Sequence, residues 1–217
     1  MLTVHSFSFN PFQENTYIVW DETKSCVIID PGCYDEAERV ELSDFIDRKG
    51  LKPQHLLNTH CHLDHIFGNK YVADKYKLGL EMNEKDLTVL HSLVQVGRMY
   101  NLQVEESPDP VLLLDEGHQI LLGNQVLDIV FTPGHSPGSI CFISHADKFI
   151  IGGDVLFQES IGRTDLPGGH HETLLRSIRT KLFTLGDDYK VYPGHGNPTT
   201  IGHEKRFNPF LQEGIRK

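Results

Sequence analysis

No basic block runs through the sequence. Twenty Lys and Arg stand against thirty Asp and Glu, for a net charge of −10 spread along its length. Gripping a phosphate backbone takes a basic stripe, so nucleic acid is excluded as a partner. No apolar run approaches the ~20 residues of a membrane span. Met1 to His5 shows no basic segment leading into an apolar one, the mark of a secretory signal. The expectation is a cytoplasmic protein with no membrane partner. Cysteine is scarce too: Cys26, Cys33, Cys61 and Cys141 form no Cys-x-x-Cys pair and read as reduced, partly buried thiols. With 217 residues, 39% of them apolar, the chain has material for one domain, 1–217, with a substantial core.

Against these absences stands one dense stretch, Thr59-His60-Cys61-His62-Leu63-Asp64-His65, directly after the apolar run Leu56-Leu57. In an extended segment, side chains two apart share a side, so His60 and His62 can face one metal while Cys61 points away. Asp64 and His65 fall where the pattern turns helical, which re-aims both towards a second metal nearby. A lone histidine on an apolar face is usually a packed residue. Four candidate ligands in six residues at a strand-to-helix turn are a metal motif.

Further candidates recur wherever an apolar run stops. Leu127–Phe131 leads into Thr132-Pro133-Gly134-His135, Phe149–Gly153 into Asp154, and Lys190–Tyr192 into Pro193-Gly194-His195-Gly196. Glycine lets the backbone bend beside a ligand, and loops at strand ends are where a rigid sheet carries function. Imidazole mixed with carboxylate suits zinc, iron or manganese better than calcium or magnesium.

Strands are expected at Val4–Phe9, Thr16–Trp20, Cys26–Ile29 and Leu78–Met82, within Val111–Phe131, and at Ile140–Ile143, Lys148–Ile151 and Lys190–Tyr192. Helices are expected over Tyr34–Lys49, Ile66 to about Lys75, a long one capped by Asn83 that buries Leu87, Leu90, Leu93, Val94 and Val96, and His171–Leu185. The polar, Pro-containing stretch Asn101–Pro110 is a candidate loop or lid. His5, His55, His91, His118, His145 and His203 lie outside every strand-end corner and read as structural or solvent-facing. His170 and His171, at a helix start, are weak candidates for substrate contact.

The motifs His-x-His-x-Asp-His, Thr-Pro-Gly-His-Ser-Pro-Gly-Ser, Gly-Gly-Asp and Pro-Gly-His-Gly together resemble the metallo-β-lactamase-fold hydrolases. Gly162-Arg163-Thr164-Asp165-Leu166-Pro167-Gly168-Gly169, and the tail Thr200–Glu204 with Asn208-Pro209-Phe210, look like the short glyoxalase II branch of that superfamily. The resemblance implies an α/β (α+β) fold, a four-layer αβ/βα sandwich. It implies two divalent metals, zinc first, with iron or manganese as alternatives. His60, His62 and His135 would hold one ion, and Asp64, His65 and His195 the other. Asp154 would bridge them, and Asp64 and Asp154 would be the catalytic carboxylates. A metal-bound hydroxide would attack the carbonyl of a small-molecule thioester such as S-lactoylglutathione. Asp30 would steady the metal loop. By its residues alone, Gly162–Gly169 reads either as a loop with a solvated Arg163–Asp165 ion pair or as one bordering the active site, with Arg163 ordering it or meeting an anionic substrate. The resemblance admits two other activities: a mononuclear-iron persulfide dioxygenase using His60, His135 and Asp154, and a lactone hydrolase of the same fold. Full-length glyoxalase II enzymes place much of their glutathione site in a helical C-terminal domain, and this sequence ends soon after Phe210.

Overall fold

A computed structural model describes residues 1–212. In chain order the elements begin with β1 (Thr3–Phe9), β2 (Glu14–Trp20), β3 (Ser25–Ile29), α1 (Glu36–Lys49), β4 (Lys52–Leu57), α2 (Leu63–Ile66), α3 (Asn69–Tyr76) and β5 (Leu80–Met82). Next come α4 (Leu87–His91), α5 (Leu93–Met99), β6 (Pro110–Leu113), β7 (Gln119–Leu122), β8 (Gln125–Phe131), β9 (Ile140–Ser144) and β10 (Phe149–Gly153). The chain continues with β11 (Leu156–Phe157), β12 (Ser160–Ile161), α6 (His171–Ser177), β13 (Lys190–Pro193), β14 (Thr199–Thr200) and α7 (Ile201–Phe207).

Two six-stranded sheets result, ordered β1-β2-β3-β4-β5-β6 and β14-β13-β10-β9-β8-β7, with β11 and β12 as a separate ribbon. Alternation along the strands explains why apolar runs were continuous. In β3, Cys26 and Ile28 face the helices α1 to α5, while Val27 and Ile29 face the other sheet. In β10, Phe149 and Ile151 join that central core and Ile150 turns outward to Leu174 and Ile178. A strand apolar on both faces is buried on both. Helix, sheet, sheet and helix thus stack as the four-layer αβ/βα sandwich. No helix among the described residues is long and apolar enough to cross a membrane.

Local chemistry fixes the element ends. Asp35 caps α1 by accepting from the Glu38 backbone N–H, and Gly50 ends it at φ 62. The long helix expected after Asn83 is instead a short turn over Glu84–Asp86 and two helices that part at Ser92. The Ser92 hydroxyl donates to the Val89 carbonyl at 2.7 Å, a back-bond that competes with the helical ladder. His171–Leu185 is likewise divided, with a widened turn over Ile178–Leu182. Asn101–Pro110 does not cover the metal motif. It packs on α1 and α3 through Arg39–Glu105 (2.8 Å) and Asn69–Ser107 (2.9 Å), so its lid reading is corrected.

Candidate metal centre

Four of the expected ligands follow the C-terminal end of a strand, His60 after β4, His135 after β8, Asp154 after β10 and His195 after β13, while Asp64 and His65 lie in α2. β10 and β13 run parallel, so their ends emerge side by side. Close approach is built in by glycine. A Cβ at Gly153 (φ 50) would sit 2.3 Å from Thr59 Oγ1, and one at Gly194 would sit 2.1 Å from Asp154 Oδ1. Side chains there would push the sheet ends apart.

All seven residues converge. His135 Nε2 lies 3.2 Å from His60 Nε2 and 2.8 Å from His62 Nδ1. Asp64 Oδ2 lies 3.2 Å from His195 Nε2 and 3.9 Å from His65 Nε2. Asp154 spans the two sets, with Oδ1 3.4 Å from His65 Nε2 and Oδ2 3.4 Å from His135 Nε2. Ligand atoms of His60, His62 and His135, and of Asp64, His65 and His195, lie mutually within 4.8 Å.

The donor set fits cations. His135 Nδ1 donates to the Arg163 carbonyl at 2.8 Å, and His60 Nδ1 meets Thr59 Oγ1 at 3.1 Å. Both rings therefore turn lone pairs towards one point, an arrangement that repels unless a cation sits between them. Burial, with help from neighbouring histidines, pushes His60 well below its ordinary value and His62 down to about 3, so both are neutral, as ligands must be. His65 Nε2 and Asp154 Oδ1 are buried without a hydrogen-bond partner. Burial alone would raise Asp154, but His65, His135 and His195 outweigh it and hold the carboxyl well below the usual range. Against burial, Asp154 and Asp64 push His65 well up, so a proton stands there for positive charge.

Behind the cluster lies a second layer. Asp30, at φ 49, accepts from the Thr59 N–H (2.7 Å), the Thr59 hydroxyl (2.6 Å) and His65 Nδ1 (3.1 Å). His195 Nδ1 meets the Phe12 carbonyl at 3.1 Å. Two members of this layer escaped sequence reasoning. Asp86, fully buried, accepts from the Cys61 N–H (2.8 Å), the Ser136 hydroxyl (2.6 Å) and the Gly138 N–H (2.5 Å). It thereby ties the His60–His62 loop to the His135 loop. Glu14, also fully buried, lies 3.8 Å from His65 Nδ1 and is pushed well up by burial. Asp86 reads as an ordinary first-turn carboxylate, and nothing around Glu14 sets it apart.

Arg163 and Asp165 pair bidentately at 2.7 and 2.8 Å on the exposed rim, so Arg163 orders its loop. His170 caps α6 by accepting from the Thr173 N–H, and neither it nor His171 lines the cleft above the cluster. Cys61 is buried and donates to Met82 Sδ, away from the ligands. His55 pairs with Glu81, His91 with Asp109 and His203 with Glu159, while His145 contacts Tyr189 and His5 stacks on Phe45, all outside the cluster.

A sequence profile described as the metallo-beta-lactamase superfamily matches residues 9–195. The chain belongs to that superfamily. This metallo-beta-lactamase superfamily member is 44% identical to the hydroxyacylglutathione hydrolase GloC of Haemophilus influenzae, over 92% of this chain and 93% of that protein. Its fold superimposes on the BLEG-1 B3 metallo-beta-lactamase with a TM-score of 0.89 and 34% identity, covering 96% of this chain and 99% of that one. It superimposes on TTHA1623, solved in a di-iron-bound form, with a TM-score of 0.86 and 35% identity, covering 95% and 100%. The chain is a metal-dependent hydrolase of the superfamily.

Proposed function

We propose that the chain hydrolyses thioesters at a binuclear metal centre: R–CO–SR′ and water give R–COO⁻, R′–SH and a proton. The observation that carries this reading is the doubled ligand set around Asp154. A mononuclear iron site would use His60, His135 and Asp154 and leave Asp64, His65 and His195 without a task, although these three are equally convergent. Likeness to a hydroxyacylglutathione hydrolase supports the thioester, and likeness to a di-iron structure supports two ions.

Two bound divalent ions, zinc first with iron or manganese as alternatives, would supply Lewis acidity and activated water. The chain's own residues do the rest. His60, His62 and His135 hold one position, Asp64, His65 and His195 the other, and Asp154 faces both. Asp64 and Asp154 stay ionised at neutral pH. Burial would raise Asp64, but His65 and His195 keep it below the ordinary value. Both carboxylates line the floor of the cleft, where an oxygen can take a proton from water. Arg163 and Asp165 hold the Gly162–Gly169 loop at the rim, and the Arg163 carbonyl fixes the His135 ring.

Zinc-loaded protein, purified anaerobically, is expected to release thiol from a glutathione thioester under argon and to consume no oxygen with glutathione persulfide. Iron-dependent oxygen uptake on the persulfide, without thiol release under zinc, iron or manganese, would overturn the reading in favour of the dioxygenase. Silence in both assays would move it to a lactone.

A further inference from the structure

The cleft over the metal cluster encloses about 970 Å³, and its wall is mostly apolar, with Thr88, Ser92 and Gln95 among its few polar side chains. That wall starts at the metal ligands. The Phe157 ring lies 6.4 Å from the His195 imidazole, and Phe12, whose carbonyl meets His195 Nδ1, turns its ring edge-on to Tyr100 at 5.8 Å. From Tyr100 the wall continues along one face of α5, through Met99, Val96 and Leu93. Leu93 is rooted in the core, but Met99 is 77% and Tyr100 51% exposed. Large apolar side chains left open beside a catalytic cluster mark a surface that a ligand covers.

Charge in the cleft points the same way. Arg163 lines it, but its guanidinium is taken by Asp165. Lys85 lines it too, lies 4.0 Å above the Phe131 ring and has no ion pair among the described residues. One free cation can meet one carboxylate. A glutathionyl group carries two carboxylates and an ammonium, and would leave at least one carboxylate without a cationic partner against the partly buried Val96 and Phe12. Burying an unpaired charge is costly.

We infer that the preferred substrate is a thioester whose larger half is apolar, aliphatic or aromatic, and carries no more than one carboxylate. The apolar half lies along α5 and the carboxylate meets Lys85. The inference rests on the thioester reading and narrows it. As in any such hydrolysis, water oxygen bonds to the acyl carbon, the C–S bond breaks, the sulfur leaves with its electron pair and takes up a proton, and the acyl group departs as carboxylate with release of a second proton.

The test uses zinc-loaded full chain and two substrates, S-phenylacetyl-3-mercaptopropionate and S-lactoylglutathione. The phenylacetyl ester is expected to have a kcat/KM at least about tenfold higher, mostly through KM, since an apolar pocket discriminates by roughly 10–200-fold per group. Val96→Asp should shrink that preference. Met99→Lys, at a side chain too exposed to endanger folding, should shrink it by about fivefold or more by adding a cation where the wall is apolar. In parallel, calorimetry compares the inert thioethers 3-(phenethylthio)propionate and S-methylglutathione as ligands, and the first should bind more tightly. Turnover of S-lactoylglutathione equal to or better than that of the phenylacetyl ester, or a preference unmoved by Met99→Lys, would overturn the inference and leave the thioester reading standing. No turnover of either ester, with the phenethyl thioether still bound more tightly, would overturn the thioester reading and support the apolar assignment of the cleft.

Discussion

The two halves of the candidate metal cluster differ by one ligand, Asp64 against a third histidine, and are backed by unlike neighbours. Around His60, His62 and His135 the outward contacts are neutral: a threonine hydroxyl and a backbone carbonyl. Around His65 they are carboxyl groups, Asp30 at 3.1 Å and, pushed towards its neutral form by burial, Glu14 at 3.8 Å, and Asp64 adds a charge in the ligand layer itself. The first half attracts a cation by imidazole lone pairs and by the carboxylate of Asp154, which it shares with the second. The second does so by lone pairs and stored negative charge. The halves also touch, because the Thr59 hydroxyl that meets His60 donates in turn to Asp30. A site of this kind is asymmetric in what holds it, even where its ligand count is nearly even.

The largest effect that can test this asymmetry is at the residue both halves share. Asp154→Ala should drop metal content below one ion per chain and cost more activity than Asp64→Ala, which should keep the first ion. Equal metal content and equal rates in the two variants would refute the shared role. Next comes Asp86→Ala, aimed at the first half. Three buried donors lose their acceptor, at about 1–3 kcal/mol for each group left unsatisfied. A clear fall in melting temperature should accompany loss of the first ion, and a variant that melts like the parent would remove Asp86 from the frame. Asp30→Asn is aimed at the second half. Disturbing such an outer partner weakens metal binding by about 10–100-fold, so competitive chelation should show one ion loosened and the other less so. Equal loosening would mean the Thr59 link couples the halves tightly.

Smaller effects lie outside both halves. His55 has its proton held by the hydrogen bond to Glu81 at 2.6 Å, which outweighs half-burial and raises its pKa. The stability it contributes is present in full below the unfolded value of about 6.5 and is lost as pH rises through the higher folded value. Urea midpoints of parent and His55→Gln should therefore differ at pH 5.5 and converge by pH 9, the gap being modest because the pair is partly exposed. A constant gap would contradict the pairing. His91→Gln and His145→Gln should leave metal content and turnover within a few fold of the parent, and metal loss from either would mean the ligand set is misdrawn.

The convergence of the candidate ligands was legible in the sequence because His60, His135, Asp154 and His195 each follow within a few residues of a strand end, and period-two geometry says which side chains share a side. The layers were legible because β3, β9 and β10 are apolar on both faces. Asp86 and Glu14 were not. A carboxylate three residues after Asn83 looks like helix capping, and only the tertiary approach of the Ser136–Gly138 loop turns it into a buried acceptor. The division of the helix at Ser92 was also hidden, since a hydroxyl that bonds back to Val89 looks, in sequence, like any surface serine. Its consequence is functional: α5 carries Val96, expected in the core stripe, into the cleft wall together with Met99.

Each proposed metal position would draw two ligands from the first half of the chain, beside β4, and one from the second, beside β8 or β13, with Asp154 reaching towards both from the end of β10. The ions would therefore act as rivets through the seam between the two sheets. Anything that binds only the closed seam stabilises it by mass action, about 2.7 kcal/mol when free metal is a hundredfold above its dissociation constant. Chelation should then do more than silence the enzyme. It should let the sheets part more readily, making heat tolerance and resistance to proteolysis between β6 and β7 rise and fall with the supply of metal.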